Sequence, residues 1–227
     1  MSLSQTLVLK FLDTLTSTIC RIDDAQIAKV PARGPLILIT NHVNVLEIPV
    51  LHSRLQPRPI SGFFAAKRLE SAWMRWLLNT LNGIPVQRDK LDRTALRQAI
   101  SRIRAGDTFV IAPEGTRNAG GRLGTGKPGV VLLAQQSGAP IQPIVHWGDK
   151  HWQRNLRRLR RTPFHIAVGR PFRLDTGGKR VDRRMRLEIL DEIMVQMAAL
   201  LPPEYRGVYA NRIAANPKYL QFLESAV

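Results

Sequence analysis

Four short runs of aliphatic and β-branched residues, spread along the chain and bounded by polar turns, constrain its fold most: Leu36 to Thr40, Thr108 to Ala112, Ile141 to His146 and Phe164 to Val168. Runs this short and this continuously apolar read as strands buried on both faces. Between them lie segments with helical spacing. The first opens at Asp92, an N-cap acid, carries Leu96, Ile100 and Ile103 on one face with Arg93, Arg97, Arg102 and Arg104 elsewhere, and ends at Gly106. Pro128 to Ser137 is a short apolar helix. Val181 to Leu201 places Leu187, Leu190, Met194, Met197 and Leu201 three and four apart and is stopped by Pro202-Pro203. Strands alternating with helical patterns specify an α/β domain rather than a sandwich.

The chain begins with an amphipathic helical pattern, Val8, Phe11, Leu12, Leu15, Ile19 and Ile22. Packing on the chain's own core is the expected use of that face, and lying in a bilayer interface is the sharper alternative. Lys10 and Asp13 interrupt the stretch, and neither a basic leader nor a small-residue cleavage site flanks it, so the expectation is a protein that neither spans a membrane nor is exported. A basic and aromatic segment runs from Ser61 to Asn82, followed by a turn at Gly83 to Val86. No repeat or low-complexity linker divides the 227 residues. The expected organisation is an N-terminal amphipathic helical segment over 1–30 and one domain over 31–227. A single cysteine, Cys20, excludes an internal disulfide framework and an all-cysteine zinc site.

The formal charge of +17 comes from 34 Lys and Arg against 17 Asp and Glu. It points to an anionic partner: nucleic acid, an acidic membrane surface or a phosphorylated substrate. Composition alone does not choose among them.

The first strand runs directly into Asn41-His42-Val43-Asn44-Val45-Leu46-Glu47. A histidine in a polar turn at the end of a buried strand stands where α/β sheets place their sites, and its proton affinity suits a general base. Glu47 lies five residues on, which in a continuous helix would put the two side chains about 140° apart. Pairing therefore requires a non-helical turn, and Pro49, tolerated only in a first helical turn, gives a reason to expect one. The alternative is a capped structural histidine. Pro113-Glu114-Gly115-Thr116-Arg117 also follows a buried strand, and a glycine turn, a hydroxyl and a planar guanidinium make an anion cradle. Gly83 to Arg88 offers a second arginine after a turn. For either arginine alone, an ordinary surface ion pair is the competing reading.

These blocks resemble those of the glycerolipid acyltransferases typified by the lysophosphatidic acid acyltransferases. His42-x4-Glu47 stands for the family's His-x4-Asp block, and Gly83 to Arg88 for the block that ends in a substrate arginine. Glu114-Gly115-Thr116-Arg117 matches the third block, and Ala139 to Ile144 resembles the fourth, a proline-containing strand. Lys67 falls where the family carries a lysine. The resemblance implies a single domain with a mixed, largely buried sheet flanked by helices, like the glycerol-3-phosphate acyltransferases. It implies transfer of a fatty acyl group from a thioester co-substrate, acyl-CoA or acyl carrier protein, to the hydroxyl of a lysophospholipid, with no cofactor and no metal. By the same resemblance His42 is the general base, Glu47 orients it, Lys67, Arg88 and Arg117 hold the acceptor phosphate, and Glu114, Gly115 and Thr116 shape the turn of the substrate site. 1-Acylglycerol-3-phosphate, giving phosphatidic acid, is the first choice of acceptor. Lyso-ornithine lipid is an alternative, because the family's blocks are similar across acceptors. Glu47 departs from the commoner aspartate by one methylene.

Ser71 to Leu81 carries Trp73 and Trp76 beside Arg75, and His151 to Arg161 carries Trp152 with Arg154, Arg157, Arg158, Arg160 and Arg161. Tryptophan with arginine suits an anionic membrane surface. Core packing of the two tryptophans and a solvated arginine face are the plain alternatives. The expected location is cytoplasmic and peripheral, on the inner face of the cell membrane. A non-enzymatic nucleic-acid or lipid-binding protein would explain the charge equally well, but no zinc-finger spacing or RNA-recognition motif is present, so no specific nucleic acid is expected.

Overall fold

The computed structural model describes residues 2–87, 92–212 and 216–224. In chain order its strands are β1 (Cys20–Asp23), β2 (Leu36–Ile39), β3 (Ile60–Ala65), β4 (Gly83–Val86), β5 (Thr108–Ile111), β6 (Ile141–Trp147), β7 (Thr162–Val168), β8 (Phe172–Leu174) and β9 (Leu220–Phe222). Its helices are α1 (Leu3–Ile19), α2 (Glu47–Arg54), α3 (Ala72–Thr80), α4 (Arg93–Arg104), α5 (Gly129–Ser137), α6 (Trp152–Arg157) and α7 (Arg183–Leu200). The strands join one sheet in the order β1-β7-β6-β2-β5-β3-β4, with β8 and β9 branching from β6. The fold is a mixed α/β domain with a central sheet flanked by helices.

Strand β2 shows why the sheet is covered on both sides. All four of its residues are buried, Ile37 and Ile39 toward one apolar cluster and Leu36 and Leu38 toward another, as the two-residue period of a strand requires. Residues of α4, α5 and α7 fill the first cluster and those of α2 the second. Phe109 of β5 is fully buried in the first cluster, and Phe109→Ala carries a cost of about 3–5 kcal/mol. Asp92 caps α4 as its position suggested, accepting from the amides of Thr94 and Ala95 at 3.1 and 2.9 Å.

Several elements differ from the sequence reading. The N-terminal helix stops at Ile19, because Cys20 is extended (φ −119°, ψ 151°) and enters β1, which pairs in parallel with β7. The sheet therefore draws on residues either side of position 30. The expected core packing of α1 holds for one side of the helix. Val8 and Leu12 are half-buried, Thr16 is buried, and α1 packs on α2, where Arg54 bridges to Asp13 at 3.2 Å and Ser17 at 2.6 Å. Phe11 and Leu15 stay exposed together with Leu3 and Leu7. Gly83 to Val86, read as a turn, is strand β4. It lies at the sheet's edge, where Pro85 withholds no ladder bond that a neighbour needs.

The five neighbours β6, β2, β5, β3 and β4 run parallel to one another. Their carboxyl ends share one edge of the sheet, the edge where open α/β sheets hold ligands.

Candidate active site

The His42 and Glu114 blocks leave the sheet at this edge, after β2 and β5, whereas Ala139 to Ile144 enters β6 from the opposite edge. The turn after β2 carries His42, and α2 begins at Glu47 with Pro49 in its first turn, so residues 42–46 precede the helix. Across that turn Nδ1 of His42 pairs with Oε1 of Glu47, whose other oxygen accepts from the amide of Asn44 at 3.3 Å. The Glu47 side chain is 3% exposed and that of His42 14%, so the carboxylate is enclosed while the imidazole reaches the surface of a cavity. With Nδ1 engaged, Nε2 is the nitrogen that can take a proton.

The loop after β5 holds His42 by its backbone. Glu114 is buried, accepting from the amide of His42 at 3.0 Å and from the amide of Gly124 at 2.8 Å, while the Asn118 amide donates to the His42 carbonyl at 2.7 Å. Burial pushes the Glu114 carboxyl up from its ordinary range, and the amides of His42 and Gly124 pull it part of the way back. Glu114 thus braces the turn that carries His42. Gly115 lies at φ +68°, and a β-carbon there would stand 2.9 Å from Cδ of Lys127, so glycine suits both the backbone and the approach of that lysine.

The cavity has a volume of about 350 Å³. Its walls are mostly apolar, including Ile48, Leu51, Phe63, Phe64, Leu78 and Val110, and His42, Glu47, Gly115, Arg117, Lys127 and Arg68 also line it. Arg117 and Lys127 place two cations at the same cavity as the imidazole. A surface depression of about 460 Å³ beside Arg97 and Arg104 shares none of these residues.

Not every expected residue lies here. Arg88 is outside the described residues. Lys67 is exposed and does not line the cavity, whereas its neighbour Arg68 does. Both sit in a short 3₁₀ turn after β3, where consecutive side chains diverge by about 120°. Thr116 is exposed and likewise absent from the lining.

Sequence reasoning also missed a buried polar group beneath the turn. The side chain of Asn41 exchanges two hydrogen bonds with the backbone of His146, at 2.8 and 2.9 Å. Asn44 Nδ2 donates to Asp149 Oδ2 at 2.6 Å, and Asp149 Oδ1 lies 3.3 Å from Nδ1 of His146. The available signals were a histidine closing the apolar run Ile141 to His146 with an acid three residues later, and for Lys127 a cation within a glycine-rich loop after a strand. Cys20, buried in β1, has its thiol pushed up to about 11, by burial first and by Asp149 second.

Comparison with known proteins bears on the family and the fold. A 1-acyl-sn-glycerol-3-phosphate acyltransferase of Pseudomonas aeruginosa is 23% identical over 176 residues, 76% of this chain and 67% of that protein. A chloroplastic 1-acyl-sn-glycerol-3-phosphate acyltransferase of Brassica napus is 27% identical over 119 residues, half of this chain but 33% of the relative, and a probable enzyme of that name from Mycoplasma pneumoniae is covered to 51%. The chain thus spans between one third and two thirds of the length of these relatives. The crystal structure of the 1-acyl-sn-glycerophosphate acyltransferase PlsC from Thermotoga maritima superposes with a TM-score of 0.62 at 21% identity, over 86% of this chain and 78% of that one, and so shares the fold. The family model described as Acyltransferase matches residues 21–147, more than half of the chain, and the protein belongs to that family.

Proposed function

We propose that the protein transfers a fatty acyl group from an acyl thioester, acyl-CoA or acyl carrier protein, to the free hydroxyl of 1-acylglycerol-3-phosphate, giving phosphatidic acid. The observation that carries this reading is one cavity whose apolar walls meet the His42–Glu47 pair and the cations Arg117 and Lys127. Apolar walls suit acyl chains, and the cations suit a phosphate monoester. As the acceptor oxygen bonds to the thioester carbon, its proton passes to Nε2 of His42. Collapse of the tetrahedral adduct breaks the carbon–sulfur bond, and the proton returns to the departing sulfur. General-base assistance of this kind is worth about 10²–10⁴-fold. Glu47, enclosed beside Nδ1, stabilises the imidazolium that forms in between. Arg117, Lys127 and Arg68 hold the phosphate, and Arg88 keeps the phosphate role that the family resemblance implies.

The substrates of such a reaction reside in a bilayer, and the surface suits that setting. Leu3, Leu7, Phe11 and Leu15 recur every fourth residue on α1 and are exposed, as are Trp73 and Trp76 on α3, and Gln5 of α1 donates to the Thr80 carbonyl at the end of α3 at 3.1 Å. No described helix is long and apolar enough to cross a membrane. The reading is peripheral docking on the anionic inner face of the cell membrane, with exposed Arg154, Arg157, Arg158 and Arg160 meeting headgroups.

The test is incubation of the full chain with a panel of lysolipids and with both acyl-CoA and acyl carrier protein donors, products read by mass. Phosphatidic acid from 1-acylglycerol-3-phosphate is the expected result. Product from lyso-ornithine lipid alone would reassign the acceptor, and none from any pair would overturn the enzyme reading.

A further inference from the structure

Beneath the catalytic turn lies a histidine that the reaction itself does not use. His146, the penultimate residue of β6, is 1% exposed and stacks on Phe164 with ring centroids 4.9 Å apart. Its Nε2 lies 3.1 Å from the carbonyl oxygen of Asn41 and 3.9 Å from Oε2 of Glu47, and its Nδ1 lies 3.3 Å from Oδ1 of Asp149. A carbonyl and a carboxylate only accept hydrogen bonds. Both ring nitrogens therefore face acceptors, and a neutral imidazole, with a single N–H, would set one lone pair against another. Asp149 is the group that most readily carries the matching negative charge, since its other oxygen accepts from Asn44 and the Asp149 side chain is 1% exposed.

We propose that His146 is a buried imidazolium serving as a positioning residue. Its two N–H groups fasten the backbone of the catalytic turn at Asn41 and the Asp149 carboxylate, and Asp149 through Asn44 fixes the segment between His42 and Glu47. The Asn44 side chain completes the link by accepting from the amide of Leu46 at 2.7 Å. The imidazolium also faces Glu47 from behind, at an ion-pair distance of 3.9 Å, and so helps to hold that carboxylate beside His42. Asp149, Glu47 and, farther off, Glu114 are the charged groups that act on the ring. Burial alone would lower its proton affinity, but Asp149, Glu47 and the Asn41 carbonyl outweigh burial and raise it, while Asp149 is lowered despite its own burial. Glu47, His146 and Asp149 bring ligating atoms within 4.8 Å of one another, as a cation site would. Protons on both ring nitrogens occupy that space instead and leave the ring no lone pair to offer.

This inference rests on His42 acting as the base, but its first test is independent of turnover. Long-range ¹H–¹⁵N spectra of the full-length ¹⁵N-labelled protein, with His146 assigned through its contact with the Phe164 ring, report the protonation of each ring nitrogen. At about pH 8, well above an ordinary imidazole midpoint, both nitrogens of His146 are expected to be protonated. A single tautomer there would overturn the proposal. The second test uses Asn44→Ala, which leaves His42, Glu47 and His146 in place. The downfield proton of the His42–Glu47 bond is expected to be lost or broadened, and kcat to fall about tenfold or more, as when a general base is misplaced, with KM nearly constant. His146→Gln should do the same and move the acid limb of the pH–rate profile. Retention of both the downfield proton and kcat in Asn44→Ala would overturn the positioning role. If the wild-type protein turns over no lysolipid, the functional reading fails while the downfield proton and the His146 protonation state still decide this proposal.

Discussion

Shortening Glu47 to the aspartate more common in the family should slow the enzyme. Glu47 is the first residue of α2, and its position is set by the packing of Val50 and Leu51 beneath that helix. Glu47→Asp removes one methylene, so the carboxylate withdraws by about 1.5 Å, one carbon–carbon bond, unless the helix moves. A charge-assisted contact of about 2.8 Å would then open to roughly 4.3 Å. At an effective dielectric of about 20, the attraction between carboxylate and imidazolium drops from about 6 to about 4 kcal/mol. The difference, near 2 kcal/mol, corresponds to a rate loss of about 30-fold. The enclosure of Glu47, 3% exposed, keeps solvent from screening the pair. The 3.3 Å bond from the Asn44 amide is lost as well, which loosens the turn. Single-turnover acyl transfer at saturating donor, with circular dichroism to confirm folding, measures the effect. An aspartate variant as fast as the wild type or faster would refute the argument, because it would mean that the turn, and not the length of the side chain, sets the distance.

Further outcomes follow from other parts of the site. Gly115→Ala places a side chain at φ +68° and 2.9 Å from Cδ of Lys127; it should cost about 1–2 kcal/mol in urea denaturation and raise KM for the phosphorylated acceptor as Lys127 is displaced. Arg117→Ala and Lys127→Ala should each impair acylation of a phosphorylated acceptor by about 10–100-fold, the worth of one charge-assisted bond, while thioester hydrolysis without acceptor changes little; equal loss of both activities would remove these residues from the phosphate site. Stability should depend on pH through the His146–Asp149 pair. The raised imidazole contributes fully below its ordinary 6.5, and that contribution disappears as pH rises through its folded value. The lowered carboxyl contributes fully above its ordinary 3.8 and loses its contribution as pH falls through its folded value. Urea midpoints should therefore be highest between those limits, and replacing Asp149 with Asn should flatten the alkaline side.

What the sequence disclosed followed burial. Strand β2, covered on both faces, is a run of four aliphatic residues, and α4 carries its cap and its apolar face openly. Strands β1, β3 and β4, at or next to an edge, were hidden. In β3 the apolar run is broken by Ser61 and Gly62, and in β4 Pro85 imitates a turn because an edge strand tolerates it. Strand β1 was masked by apolar spacing that continues past the end of α1. The His42–Glu47 pair was legible because its partners are five residues apart. The links Asn41–His146 and Asn44–Asp149 each join residues 105 apart, and the contacts from Glu114 to the amides of His42 and Gly124 depend on how two loops meet. Lys127 approaches the Gly115 turn only because its loop folds back, its amide donating to the Pro113 carbonyl at 2.8 Å.

These links explain how an irregular turn can hold His42 in place. Residues 41–46 have no secondary structure to fix them, yet the backbone of His42 is bonded at its amide by the Glu114 carboxylate and at its carbonyl by Asn118, both from the loop after β5. The flanking Asn41 and Asn44 are bonded from the other side by His146 and Asp149, at and just beyond the end of β6. Because β5 and β6 are the two parallel neighbours of β2, all three segments emerge side by side at one edge. The turn after the central strand supplies His42, and its neighbours clamp it. Any change that shifts β6 along β2 should therefore be read first as lost kcat rather than as lost substrate affinity, since no residue of β6 lines the cavity while His146 holds the turn that carries the proposed base.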